Sequence, residues 1–395
     1  MLLMNEGGPA SHPVRRLRRS LLVSIAAAAL PMMAFGAASA AETKSFVVSY
    51  FYDANFSDGK TDCPNGLNLS AIDFYRRDLA KAGHSHDEIE AALKDFPGEG
   101  GLKQPWVPLV VTRGNGKDNV YAHPETMADP GMIEVSGKYS YGFNLDGKGA
   151  DSPSKFEEPD THEQGVNNGL YKVEGCIRSY RGLPPPGRPS LPENLWDVLR
   201  DVMPAWIIGV TAPDGFGKDG DVTVTFDRAL ERITRDASGA AAQADMTYQI
   251  DPDPRSHNVL KGHLKGNVVT IDPADFNMVL DPYLQPEIRF AKTHLRLTIA
   301  ADGTVRGVVG GYQPWATVYY GFADQGHIKE YAGSINLPAL YYALKRNADY
   351  DPDPKTGENR QISSAYLIEA VPAFAVPATN RTAQVTDTDS NSKAR

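Results

Sequence analysis

The chain carries only two cysteines, Cys63 and Cys176, in 395 residues. That excludes a thiolate metal cluster and a disulfide-rich scaffold, since both need about four or more. Positive charge is also short. Forty Lys and Arg stand against 49 Asp and Glu, for a formal charge of −9. An acidic surface repels phosphate backbones and anionic lipid head groups, so neither nucleic acid nor a membrane surface is an expected partner. Firmly apolar runs of about 20 residues, the length that spans a bilayer, are absent. So are the Gly-x-Ser-x-Gly elbow, the His-Glu-x-x-His zinc motif, a phosphate-cradling glycine loop and the haem-attachment Cys-x-x-Cys-His. Glycoside hydrolysis survives this sieve, because two acids facing across a cleft leave no fixed spacing in sequence.

The first 40 residues read as a cleaved export signal. Arg15, Arg16, Arg18 and Arg19 form the positive n-region, Leu21–Ala38 an alanine-rich apolar stretch broken by Pro31, and Ala38-Ser39-Ala40 the small-x-small cleavage pattern. No cysteine sits at the cleavage point to take a lipid, so no stable membrane anchor is expected. The arginine pairs leave general and twin-arginine export both open. Cleavage removes four arginines and Glu6, which takes the charge from −9 to −12. The 355 residues that remain suffice for one large or two ordinary domains in the periplasm or outside the cell. In such an oxidising compartment an even cysteine count favours a Cys63–Cys176 bridge over two buried thiols. It would close a loop of more than 100 residues.

Glycine and proline total 65 and are scattered, which favours many turns over long helices. Ser45–Tyr52 has the β-branched and aromatic content of a buried strand. Ser70 and Ser85 each precede an acid by three residues and then an apolar stripe, so a helical hairpin is predicted over Ser70–Phe96, with Gly83 stopping its first arm. Leu109–Thr112 and Ile133–Phe143 read as strands. Leu183–Pro192 is a proline-rich connector, followed by a short helix over Leu195–Val202. Beyond it, strands are predicted around Val222–Phe226, Met246–Ile250 and Val268–Ile271. Leu295–Ile299 and Val305–Val309 read as a hairpin reversed at Asp302-Gly303, where both turn positions tolerate positive φ. Asn336 caps a helix running to Arg346. Ser363–Val376 is ordered, with helix and strand equally supported.

The fold class is therefore α+β and mostly β. After the signal (1–40) comes an α+β portion over 41–190, holding the helical hairpin and an acidic loop. An antiparallel β-sandwich or barrel-like portion with a closing helix follows over 191–376, then a disordered tail over 377–395.

Phe143–Tyr180 is the stretch the chain is organised around. Asp146, Asp151, Glu157, Glu158, Asp160 and Glu163 face only Lys148 and Lys155 before the chain turns apolar and delivers Cys176. Calcium takes six to eight oxygens, and Asn144, Asp146, Asp151, Glu157, Asp160, Asn167 and Asn168 could supply them. The spacing is not that of an EF-hand, and a solvated surface loop explains the same residues. Asp53, Asp58 and Asp62 make a smaller acidic loop around Cys63, which a disulfide would bring alongside.

His84 and His86 flank Ser85 without a third ligand, so a helix cap accounts for them better than a metal does. His257, His263, His294 and His327 stand singly. Ser152-Pro-Ser-Lys155, Ser334-Ile-Asn336 and Lys355-Thr356-Gly357 occur in the order used by penicillin-binding proteins. Here the first lies in a proline-bearing loop rather than at a helix start, so the resemblance is set aside. Tyr312, Trp315, Tyr319 and Tyr320 cluster in Gly310–Phe322, where they form either a platform for a sugar or other flat ligand, or core.

The functional expectation is an exported non-catalytic binding or structural protein, calcium being the one cation considered, with an extracytoplasmic ligand or protein as partner. The rival is a hydrolase of an extracellular polymer such as a glycan, with loop acids and the aromatic cluster lining one cleft.

Overall fold

Alternation of apolar and polar residues puts one face of the strands over Gly220–Arg232, His257–Lys265 and Glu287–Ile299 to the interior. Those over Glu42–Asp53, Pro204–Ala212 and Val305–Pro314 hold runs buried on both faces. In chain order the strands are β1 (Glu42–Asp53), β2 (Phe156–Glu157), β3 (Gln164–Val166), β4 (Pro204–Ala212), β5 (Gly220–Arg232), β6 (Met246–Ile250), β7 (His257–Lys265), β8 (Val268–Ile271), β9 (Ala274–Val279), β10 (Glu287–Ile299), β11 (Val305–Pro314), β12 (Tyr350–Pro352) and β13 (Asn359–Pro377). Eight of them close into a barrel in the order β1-β4-β5-β7-β8-β10-β11-β13 and back to β1, every neighbouring pair antiparallel. Closure removes the unpaired edges that an open sheet would expose. β6 lies parallel to the end of β13, β9 extends the first half of β10, and β12 pairs with the start of β13.

The computed structural model describes residues 41–98, 104–181, 200, 202–280 and 287–378. The predicted signal, the proline-rich connector, most of the helix after it and the tail from Thr379 lie outside the described residues.

The helices are α1 (Ala71–Lys81), α2 (His86–Leu93), α3 (Trp106–Val111), α4 (Gly169–Glu174), α5 (Trp315–Ala323), α6 (His327–Gly333) and α7 (Leu337–Asn347). Leu170 and Val173 of α4, Val318 and Tyr319 of α5, and Leu337, Leu340 and Leu344 of α7 belong to the same buried cluster as Phe46, Ile208, Phe226, Leu297 and Ile368 of the barrel. An eight-stranded barrel is just wide enough for side chains to fill, and here they do. α1, α2 and α3 share a smaller core around Phe74, Tyr75, Leu79 and Trp106.

Several expectations change. β1 belongs to the N-terminal portion, yet it closes the barrel between β4 and β13. The sheet therefore spans both halves of the chain. Leu109–Thr112 is not a strand but the end of α3 and its cap, because Trp106, Val107 and Val110 gather on one buried face. Pro108 falls in the first turn, where its missing N–H costs nothing. Ile133–Phe143 is irregular, joined to its surroundings by isolated bridges from Tyr139 to Glu157 and from Phe143 to Asn167. Gly142, at φ +142°, takes a conformation no ladder residue adopts. The Asp302-Gly303 reversal is a hairpin, but only Gly303 has positive φ, +83°. Ala300 donates its N–H to the Thr304 carbonyl and accepts from Gly303, so the loop has three residues rather than two. Ser363–Val376 is strand throughout, within β13.

Candidate functional site

Cys63 and Cys176 form a disulfide with α-carbons 5.8 Å apart. It ties the smaller acidic loop to the chain just after α4. Arg181 lies beside the bridge, paired with Asp62 and with a guanidinium nitrogen 3.1 Å from the Cys63 sulfur.

The acidic loop satisfies its own oxygens. Asp146 accepts the Lys148 N–H at 3.0 Å on one oxygen and the Ser152 hydroxyl at 2.9 Å on the other. The amide oxygen of Asn144 accepts from Gly149 at 3.1 Å, and that of Asn167 accepts from Asp146 at 3.2 Å. Glu157 takes Lys138 at 2.8 Å and Gln164 at 2.7 Å, with the His162 ring nitrogen 3.0 Å away. These contacts, Lys138 foremost, hold its carboxyl well below the usual range. Buried Glu158 caps Asp160 and Thr161 through one oxygen and meets Arg296 at 2.7 Å with the other. Asp151 and Asp160 point to solvent. Among the described residues no three His, Cys, Asp or Glu side chains are gathered in a way that could hold a metal ion. Lys155 turns to the Ser152 backbone carbonyl at 2.8 Å, not to its hydroxyl.

The three aromatic candidates part company. Trp315 and Tyr319, both on α5, meet Tyr341 edge-on at 5.4 and 5.1 Å. Tyr319 is core, its hydroxyl donating to the Tyr121 carbonyl at 2.8 Å. Tyr312 is stacked on Tyr350, with centroids 4.2 Å apart.

Tyr312 also lines a cleft of about 440 Å³. Five strands wall it: Asn258 from β7, Phe276 and Asn277 from β9, Phe290 from β10, Tyr312 from β11 and Gln361 from β13. The opening follows from an irregularity in β10. Its register slips against β11 between Ala291 and His294, and against β9 between Phe290 and Thr293. Lys292, inside the slip, has φ +52°. Such bulges bend a strand and re-aim its side chains, and they recur beside binding sites. Gly311 permits the close approach, since a β-carbon there would lie 2.9 Å from the Ala291 carbonyl oxygen and 3.0 Å from the Phe290 β-carbon.

The wall is polar but neutral in its depth. Asn258 donates to the Phe226 and Asn277 carbonyls, both at 2.9 Å, and accepts the Asn277 N–H. Asn277 donates its amide to the Arg255 carbonyl at 3.1 Å. The amide oxygens of Asn277 and Gln361 are buried without a donor. No hydrogen bond reaches the Tyr312 hydroxyl among the described residues. Burial raises its pKa well above that of an ordinary phenol, helped by Asp349, Asp146 and Tyr350, so it stays protonated. Asp349 lies behind, both oxygens held by the Ser363 N–H and hydroxyl at 2.7 and 2.6 Å. Burial raises its pKa too. At the rim Arg289 pairs with Glu287 at 2.8 Å, and Asp275 is exposed.

Of the residues expected from sequence, only Tyr312 belongs to this cleft. Asn258, Asn277 and Gln361 were not singled out. The local trace is a change of parity in β10, where apolar Ile288 and Phe290 give way to Leu295 and Leu297 on the opposite count.

The fold and cleft together define an eight-stranded antiparallel barrel, joined to a helical cluster and opened at one strand bulge. No protein-family model, curated protein or solved structure matches the chain. Among the described residues no helix is long and apolar enough to cross a membrane.

Proposed function

We propose an exported, non-catalytic binding protein of the periplasm or extracellular space, whose cleft at the β10 bulge takes a small uncharged ligand. One observation carries this reading: two buried amide oxygens without partners, on Asn277 and Gln361, share a cleft with the unbonded Tyr312 hydroxyl and with buried aromatic rings. Buried polar atoms are almost always paired, so a group of exceptions in one concavity calls for a ligand. The disulfide supports an oxidising compartment. Among the described residues Asp275 is the one carboxylate in the lining. Hydrolysis of a glycan needs two carboxyl groups across the scissile bond, so binding without turnover accounts for the cleft better than the hydrolase does.

The test uses the full secreted chain with its disulfide intact. Thermal melting against sugars, polyols, amino acids and organic acids should give a saturable rise with at least one class, and Tyr312→Ala should abolish it. Incubation with polysaccharides should release no new reducing ends. A melting temperature indifferent to every probe defeats the binding role, and release of reducing ends hands the site to the hydrolase.

A further inference from the structure

The cleft's chemistry narrows its ligand. Resting on the binding role just proposed, we infer that the occupant is a neutral polyhydroxylated molecule, a free sugar or the sugar unit of a glycan, held by the Asn277 and Gln361 amide oxygens and the Tyr312 hydroxyl.

Three other classes are ruled out by the groups present. An anion needs an unneutralised cation on the wall, and the one guanidinium there among the described residues, Arg289, is 2.8 Å from Glu287. Asp275 adds a negative charge beside it. A purely apolar ligand would cover the Tyr312 hydroxyl and leave the two amide oxygens still without donors. An acceptor-only ligand fails at the two amide oxygens, which need donors. Their orientation is fixed by their own nitrogens: that of Asn277 donates to the Arg255 carbonyl, and that of Gln361 lies 3.5 Å from Asp351. A hydroxyl both donates and accepts, so it suits an amide oxygen and a phenol equally.

The apolar surface fits the same class. Phe276 and Phe290 lie nearly parallel, 6.4 Å apart, within the lining. Both are almost fully buried, so they give the cleft a narrow apolar floor for C–H groups rather than an open stacking face. Tyr312 is held in place. Its ring is stacked on Tyr350, which in turn carries the Lys292 ammonium 4.5 Å from its centroid. The bulge residue that opens the cleft thus also fixes one of its walls, because a cation over an aromatic face stabilises the stack.

The decisive measurement is isothermal titration of the intact protein with a panel of neutral mono- and disaccharides, glucuronate and galacturonate as anionic counterparts, and amino acids. Neutral sugars should bind, and the uronates at least tenfold more weakly. Tyr312→Phe, which keeps the ring and stack, should weaken binding by about tenfold, the loss of one net hydrogen bond of about 1.4 kcal/mol. Gln361→Leu should weaken it similarly, and melting curves of both variants report whether they fold. Binding confined to uronates or amino acids overturns the sugar and leaves a binding protein standing. No heat with any probe overturns both. Neutral sugar binding unchanged in Tyr312→Phe and Gln361→Leu alike places the sugar outside this cleft and overturns the assignment.

Discussion

Two polar clusters of this protein differ in how their atoms are satisfied. Where α1, α3, α6 and α7 meet, Asp78, Arg113 and Glu330 are wholly buried charges that pair with one another, although the Arg113 Nε, 3.7 Å from Asp78, makes no hydrogen bond. Arg113 meets Glu330 at 2.6 Å, Tyr121 donates to the other Glu330 oxygen at 2.7 Å, and the Leu337 N–H reaches Glu330 at 2.9 Å. Asp78 takes the Asn336 amide at 2.6 Å and Arg77 at 2.9 Å. In the cleft, by contrast, the groups are neutral and three are left without partners. Leaving a buried charge open is far costlier than leaving an amide oxygen open. The charged cluster is therefore closed and structural, and the neutral one can wait for a ligand. Burial of charge alone does not mark a functional site.

The largest expected effect lies at the closed cluster. Glu330→Ala strands the Arg113 guanidinium and should cost about 3–5 kcal/mol in denaturant unfolding. The double change Arg113→Met with Glu330→Leu should recover part of that, because no guanidinium is stranded and buried Asp78 keeps Arg77 and the Asn336 amide. A loss below about 1 kcal/mol in the single variant would erase the distinction drawn here, since Arg113 would then be satisfied by other means.

The cleft should respond with the opposite sign. Gln361→Leu removes a buried acceptor that has no donor and gives up only a 3.5 Å contact with Asp351. Unfolding should be unchanged or harder by up to about 1 kcal/mol, while ligand affinity falls. Stability lost together with affinity would mean that Gln361 is part of the frame.

How far each region could be read from sequence follows from the range of its interactions. The helical hairpin was legible because its determinants are local. Ser85 and Glu88 make the reciprocal capping box, with N–H contacts at 2.8 and 3.3 Å, and Asn336 caps α7 through the Ala339 N–H at 3.1 Å. The disulfide was legible by count. The β-rich class was legible from alternation. Barrel closure was not, because Phe46 faces Pro372 across more than 300 residues and nothing near either encodes the pairing. The cleft draws on five strands, and the parity change after Phe290 is its one local mark. α3 was misread because a short apolar run carries no period that separates strand from helix.

A finer contrast comes from pH. Burial pushes the Asp53 carboxyl up to about 7, against the pull of the Lys329 ammonium. A carboxyl whose pKa is raised on folding binds its proton more tightly in the native state, so it lowers stability as pH rises from about 4 toward 7. Asp53→Asn should flatten that part of the stability curve. Asp53 is only half-buried, so solvent screening narrows the pH span over which it contributes. A curve that keeps its shape in the variant assigns any decline to other groups, Asp349 first, since burial raises its pKa as well.

The smallest expected effect concerns the acidic loop, and it tests whether that loop resembles the closed cluster or the open one. Its oxygens were the natural ligands for calcium by composition. In the folded chain, Asp146, Asn144, Asn167 and Glu157 each accept short-range donors from the loop or its neighbours. A cation would have to displace those donors one by one, and the energy of each new contact would be offset by a broken hydrogen bond. The loop is also held covalently at Cys176, so it does not need a metal for order. Chelator or added calcium should therefore move the melting temperature by less than about 1 °C, well under the roughly 2–4 °C that 1 kcal/mol produces in a domain of about 150–250 residues. Ser152→Ala, which frees one Asp146 oxygen, should lower it by more than the chelator does. A calcium-dependent rise of several degrees would place the loop with the cleft, among the parts of this protein completed from outside.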